Sequence, residues 1–140
     1  MNKMKVGTIA LGNIVTLDNN QIIYGAKQFL GMTGFPPKVV QTLAATAAIE
    51  ADTTQIRVGG SGGAVTLTSE PNIADGFDGQ FILIRGTDNT NTLTIQDVGT
   101  LAGSNVDLGG ANRTLGNGDY LALIFNADTG LWEELFFKNN

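Results

Sequence analysis

A chain of 140 residues, 42% of them apolar, is long and apolar enough to build one main core, so disorder is not expected. It has no Cys and no His, which excludes disulfides, thiolate metal sites and every Ser-His-Asp or Cys-His triad, and removes the commonest general base and metal ligand. The net charge is −5, with Lys3, Lys5, Lys27, Lys38, Arg57, Arg85, Arg113 and Lys138 scattered along the chain; this disfavours nucleic acid, which is gripped by clustered cations.

The first stretch, "MNKMKVGTIALGNIV", is too interrupted by Gly7, Gly12 and Asn13 for a signal peptide, and no run approaches the length of a membrane span. Two short apolar pieces follow, 14–17 and 22–24, around the turn signal Asp18-Asn19-Asn20. Pro36 and Pro37 then forbid a helix interior or a central strand. Residues 1–35 are too few for a core of their own. They are either a strand of the main domain or an arm reaching a neighbouring chain, in which case Lys3, Lys5, Ile14, Leu17, Ile22, Tyr24 and Phe29 carry its contacts.

Residues 36–140 form the main domain, and its patterning is β. "TLAATAAIEADTTQIRV" is Ala-rich, which favours helix, yet Ile49, Ala51, Ile56 and Val58 suit extended chain better. In "AVTLTS" and "TLTIQD", Val65, Leu67, Leu93 and Ile95 alternate with Thr and Gln, the signature of half-buried strands. "FILIR" and "LALIF" are continuous apolar runs that fit strands covered on both faces, and "LWEELFFK" gives a last strand. "GQFILIRGTDNTNTLTI" and "GDYLALIFNADTGLWEEL" share one plan and predict two β-hairpins, separated by the Gly-rich "VGTLAGSNVDLGGANRTLGNG". The fold expected is all-β: a small antiparallel β-sandwich of jelly-roll type with an extended N-terminal arm.

The polar motifs read as structure. "GTDNTNTLTIQD" lacks the alternating oxygen ligands, sharp-turn Gly and distal Glu of a calcium loop, so Asp88 and Asn89 predict a turn. "VGGSGGAV" has neither the Lys nor the following helix of a phosphate loop, and predicts a hairpin turn. Asp75, Asp78, Glu133 and Glu134 are the carboxylates open to a glycosidase, but the first two flank turn glycines and the last two alternate along a strand. Trp132, beside Leu131, Leu135 and Phe137, reads as core or interface, and Asn112-Arg113-Thr114 matches a glycosylation sequon. No catalytic residue, metal ligand or cofactor site is expected.

Two stretches resemble a known family. "DNNQIIYGAKQFLG" is similar to a recurrent bacteriophage tail-fibre element through Ile23, Gly25, Lys27 and Phe29, with Tyr24 departing from it. "AVTLTS", "IADGFDGQ", "GTDNTNTLTI", "LGNGDYLALIF" and the ending at Trp132 and Glu134 resemble a small β-domain of phage fibres, receptor-binding tips and capsid-decorating proteins. The resemblance implies a virion structural protein, a homotrimer and no active site. The apolar runs then place Phe81, Leu83, Leu121, Leu123, Trp132 and Phe136 at the trimer interface. The sequence has no collagen-like period, heptads or β-helix repeat to make a stalk. The expectation is therefore a capsid decoration (cement) protein on the outer surface of the virion, with the major capsid protein as partner and neither nucleic acid nor membrane. The alternative is a tail-fibre or receptor-binding protein recognising host surface glycan.

Overall fold

The computed structural model describes Pro37 and residues 39–140, all within the second of the two units into which the chain divides, Gly34–Asn140. The expected arm, residues 1–35, lies outside the described residues, and with it the candidates Lys3, Lys5, Ile14, Leu17, Ile22, Tyr24 and Phe29.

The described chain is all-β and contains no helix. Its strands are β1 (Gln41–Leu43), β2 (Gln55–Gly60), β3 (Val65–Thr66), β4 (Phe81–Gly86), β5 (Leu93–Ile95), β6 (Val106–Asp107), β7 (Arg113–Leu115), β8 (Tyr120–Asn126) and β9 (Leu131–Lys138). Six form a curled mixed sheet in the order β1-β2-β4-β8-β9-β6, and three form a second sheet, β3-β5-β7. The Ala-rich segment is extended: it supplies β1, an isolated bridge from Ile49 to Ile73, and β2.

The pairing is not the antiparallel scheme that the sequence suggested. β1–β2, β2–β4, β3–β5 and β6–β9 are parallel; β4–β8, β5–β7 and β8–β9 are antiparallel. The cause lies at two corners. At "VGGSGGAV" the chain does not fold back; it leaves the six-stranded sheet at Gly60 and enters the other at Val65. A Cβ on Gly60 would lie 2.2 Å from the Gly63 carbonyl oxygen, so only glycine fits the bend. β4 and β5 repeat the manoeuvre around Gly86, whose own Cβ would lie 2.1 Å from the Gly116 carbonyl oxygen. The expected hairpin between them is therefore absent: β4 and β5 lie in different sheets. The two corners stack, so Val58 pairs with Gly86 in one sheet and Val65 with Leu93 in the other, an offset of 28 residues in each. These are two successive turns of a coil, a short repeat that composition and periodicity did not reveal. The second expected hairpin is present: β8 and β9 pair antiparallel around a turn closed by Gly130, which donates to the Asn126 carbonyl (2.9 Å) and has φ of 69°.

Alternation sets the core. Leu67, Leu93, Ile95 and Leu115 point in from the three-stranded side, and Ile56, Val58, Ile82, Ile84, Leu121, Leu123, Phe125 and Trp132 from the six-stranded side, into one cluster. Trp132 is fully enclosed, packs edge-on against Phe125 (ring centroids 5.1 Å apart) and donates its indole N–H to the Ala74 carbonyl (3.1 Å). A bulge in β9 leaves Leu135 without a partner on β8; it turns Phe136 to the outer face beside Ala122 and Phe137 inward toward Leu121.

Candidate functional site

The acidic turn resolves first. Asp88 Oδ1 accepts the backbone N–H groups of Thr90 (2.6 Å) and Asn91 (3.0 Å), while Oδ2 accepts the Asn91 side-chain amide (2.9 Å). The Asn91 side-chain bond, then the two backbone bonds, hold this carboxyl below its ordinary value of 3.8. Asn89 extends the same role: its Oδ1 accepts the Asn117 N–H at 2.7 Å, tying the corner after β4 to the turn before β8.

Asp97, at the other end of that stretch, is buried and organises the Gly-rich crossover. Its Oδ1 accepts Gly99 N–H (2.7 Å), and its Oδ2 accepts Leu108 N–H (2.7 Å) and Gly110 N–H (3.1 Å). Burial alone raises its pKa, but these three donors and the Arg113 charge outweigh it and hold the carboxyl below 3.8. Asn105 does similar work, donating to the Ile73 carbonyl (2.7 Å) and Asp75 (3.1 Å) and accepting Ile73 N–H (3.2 Å). Asn72 accepts Gln96 N–H (2.9 Å) and donates to the Ser69 carbonyl (2.7 Å). Sequence reasoning did not single out Asn72 or Asn105, because a buried Asn in a loop has no periodic signature. Among the described residues, no buried side-chain nitrogen or oxygen lacks a hydrogen-bond partner.

The carboxylates weighed for glycoside hydrolysis are dispersed. Asp75 meets Asn105; Asp78 accepts the Ala127 N–H (3.1 Å); Glu133 accepts the Asn126 amide (2.8 Å). Glu134 makes a two-pronged pair with Arg113, at 2.7 and 3.1 Å, and the Arg113 guanidinium lies 5.3 Å from the centre of the Phe137 ring. Glu133 and Glu134 both border a shallow groove of about 460 Å³ with Asp107 and Arg113, but Glu134 is neutralised there by its partner. No group of three or more His, Cys, Asp or Glu among the described residues is placed to hold a metal ion. Asn112 turns its side-chain oxygen inward to Asp97 N–H (2.9 Å) and the Thr100 hydroxyl. No helix among the described residues is long and apolar enough to cross a membrane.

What remains is a surface. Leu121, Leu123 and Trp132, expected at a trimer interface, are fully buried within the chain's own core and have no side-chain surface left for another copy. Phe81 and Phe136 are exposed, at 41% and 50%, and Leu83 is half-buried. All three stand on the outer face of the six-stranded sheet, where register places Phe81 beside Ile124 and Leu83 beside Ala122 and Phe136. "FILIR" is thus covered on one face only, with Ile82 and Ile84 inward. At one margin of this face, Phe77 (71% exposed), Phe81, Leu83 and Gln55 line a groove of about 550 Å³.

No family model matches the chain, and no curated protein matches it. One solved structure, a chaperone-substrate complex, is similar over 71% of this chain at 20% identity and a TM-score of 0.43. This chain spans 17% of that one, and a likeness at this level carries no argument about fold or function.

Proposed function

We propose that the chain is a bacteriophage capsid decoration (cement) protein that binds the major capsid protein on the outer surface of the virion. The phage assignment rests on the resemblance at Ile23, Gly25, Lys27 and Phe29 and across the β-domain motifs. The binding role rests on one observation: an apolar sheet face, carrying Phe81, Leu83 and Phe136, that no other described strand covers. Burial at about 25 cal/mol per Å², repeated over many copies, stabilises a shell through modest contacts. The four weighed carboxylates serve hydrogen bonds and an ion pair within the fold, so we read the chain as a binding protein without chemistry of its own. The resemblance adds a sandwich of jelly-roll type, a homotrimer and an arm, residues 1–35, tying neighbouring capsid subunits. With Leu121, Leu123 and Trp132 enclosed, Phe81, Leu83 and Phe136 are the interface candidates left for copy-to-copy contact.

The test is co-sedimentation of the purified protein with undecorated capsids, together with the copy number per purified virion. Saturable binding and hundreds of copies support the reading. A few to tens of copies, with retention on host envelope glycan, supports the tail-fibre alternative instead.

A further inference from the structure

We propose that the groove at the margin of the open sheet face seats an extended segment of the capsid protein, its main chain bonded to the N–H and carbonyl of Phe81 and an apolar side chain held against the Phe77 and Phe81 rings. This seat rests on the capsid reading above and names the part of that partner it takes.

Register exposes the seat. Phe125 N–H donates to the Gln80 carbonyl (2.9 Å) and Gly86 N–H to the Asp119 carbonyl (3.1 Å), so the even-numbered residues of β4 turn their main chain towards β8. Bonded and unbonded pairs alternate in an antiparallel ladder, so Phe81 and Leu83 turn theirs the other way, towards β2. Leu83 is met there: its N–H donates to the Thr54 carbonyl (2.8 Å), and it pairs with Gln55. Phe81 is not. β2 begins at Gln55, and neither the N–H nor the carbonyl of Phe81 has a hydrogen-bond partner among the described residues. A strand running two residues further would satisfy both, but the chain before Gln55 departs and leaves a notch.

The notch is the groove of about 550 Å³, lined by Thr53, Thr54 and Gln55 from the β2 side and by Phe77, Phe81 and Leu83 from the β4 side. Gln80 braces both sides: its amide donates to the Ala51 carbonyl (2.7 Å), and its Oε1 accepts the Phe77 N–H (3.1 Å). The Thr53 hydroxyl donates to the Gln55 carbonyl (3.0 Å), so the groove stands preformed. Its chemistry selects the occupant. One residue offering both a main-chain donor and a main-chain acceptor at a strand edge is matched by another extended polypeptide, at the strand spacing of about 4.8 Å. Phe77 is 71% exposed and Phe81 41%, and these rings supply the apolar contact beside that pairing. No Lys or Arg lines the groove, which disfavours a phosphate or another anion. The seat is complete within one chain, so it accommodates the three copies that the resemblance implies.

Co-sedimentation of the full chain with undecorated capsids tests it, joined to amide exchange read by mass spectrometry. Phe77→Ser, at an exposed position outside the core, is expected to raise the dissociation constant about tenfold or more. The Phe81 amide, open in the isolated protein, is expected to exchange about tenfold more slowly on the capsid. A photo-crosslinker, p-benzoylphenylalanine, in place of Phe77 is expected to join one short stretch of the capsid protein. A parent chain that does not sediment with capsids removes the capsid reading and this seat with it. A parent that binds while Phe77→Ser binds within about twofold of it overturns the seat and leaves the capsid reading standing. So does a Phe81 amide that exchanges as fast on the capsid as off it, or a cross-link only to a glycan or to another copy of this chain.

Discussion

Asp97→Asn is the substitution that separates an organising carboxylate from a dispensable one. The wild-type group accepts three backbone N–H bonds in a buried position, two on Oδ2 and one on Oδ1. An Asn offers one acceptor oxygen. Placed to keep the Leu108 and Gly110 bonds, it turns its NH2 toward the Gly99 N–H, so one donor is orphaned and the two retained bonds lose their charge. A hydrogen bond to a charged group is worth about 1.5–3 kcal/mol and a neutral one about 0.5–1.5. The sum, reduced by the burial that the charge no longer opposes, is a loss of about 2–4 kcal/mol. For a domain of this size that lowers the melting temperature by about 10 °C. The pH dependence checks the cause. The folded pKa lies below 3.8, so the wild type has this stabilisation in full above that value and loses it as pH falls through the folded pKa. The variant has no carboxyl there to titrate. Urea melts at neutral pH should therefore show the full gap, and melts in increasing acid a closing one. A gap under about 0.5 kcal/mol at neutral pH, the range of an ordinary surface change, refutes the reasoning; so does a gap that widens in acid.

Gly86→Ala places a methyl group against the Gly116 carbonyl at the corner between the sheets and should cost about 3 kcal/mol, read by thermal melting. Trp132→Ala empties the centre of the core and removes the bond to Ala74, for a loss of about 3–5 kcal/mol; a value near 1 would mean that the site collapses. Arg113→Ala should cost more through its two carbonyl bonds, to Leu108 and Ala111, than through the part-exposed Glu134 pair, so a double-mutant cycle with Glu134→Ala should give a coupling of only about 1 kcal/mol. Removing residues 1–35 should weaken attachment to undecorated capsids about tenfold or more, equal to about 1.4 kcal/mol, as measured by co-sedimentation.

Strand existence was legible and strand pairing was not. Leu67, Leu93 and Ile95 announce an inward face because alternation with Thr is a local signal that packing then honours. Pairing depends on where the chain turns, and the two corners hide that. "GTDNTNT" reads as a hairpin loop because Asp88 and Asn91 do form a tight turn there. What sends the chain to the other sheet is Gly86 just before it, pressed against Gly116 thirty residues later, a contact that no local pattern records. The six interface candidates divide for a related reason: Leu121, Leu123 and Trp132 are enclosed, while Phe81, Leu83 and Phe136 keep surface. Phe81–Ile84 and Leu121–Phe125 look alike as runs and lie on adjacent central strands with the same open face, but the candidates Phe81 and Leu83 stand on that face, while Leu121 and Leu123 point into the core and leave Ala122 and Ile124 outside.

The coil explains why the outer face is open at all. Each turn sends one strand to each sheet, so the two sheets grow together and bury only the side they share. Where the coil ends, β8 and β9 add two long antiparallel strands to the six-stranded sheet, and only the three residues of β7 join the other. The smaller sheet cannot wrap around to the far side of the larger one. Apolar residues on that far side are therefore not surplus core. Phe81 and Phe136 are only about half covered by the chain's own packing, and the bulge at Leu135 spends a ladder position on turning Phe136 outward. Under the binding role proposed above, a partner's surface would cover both.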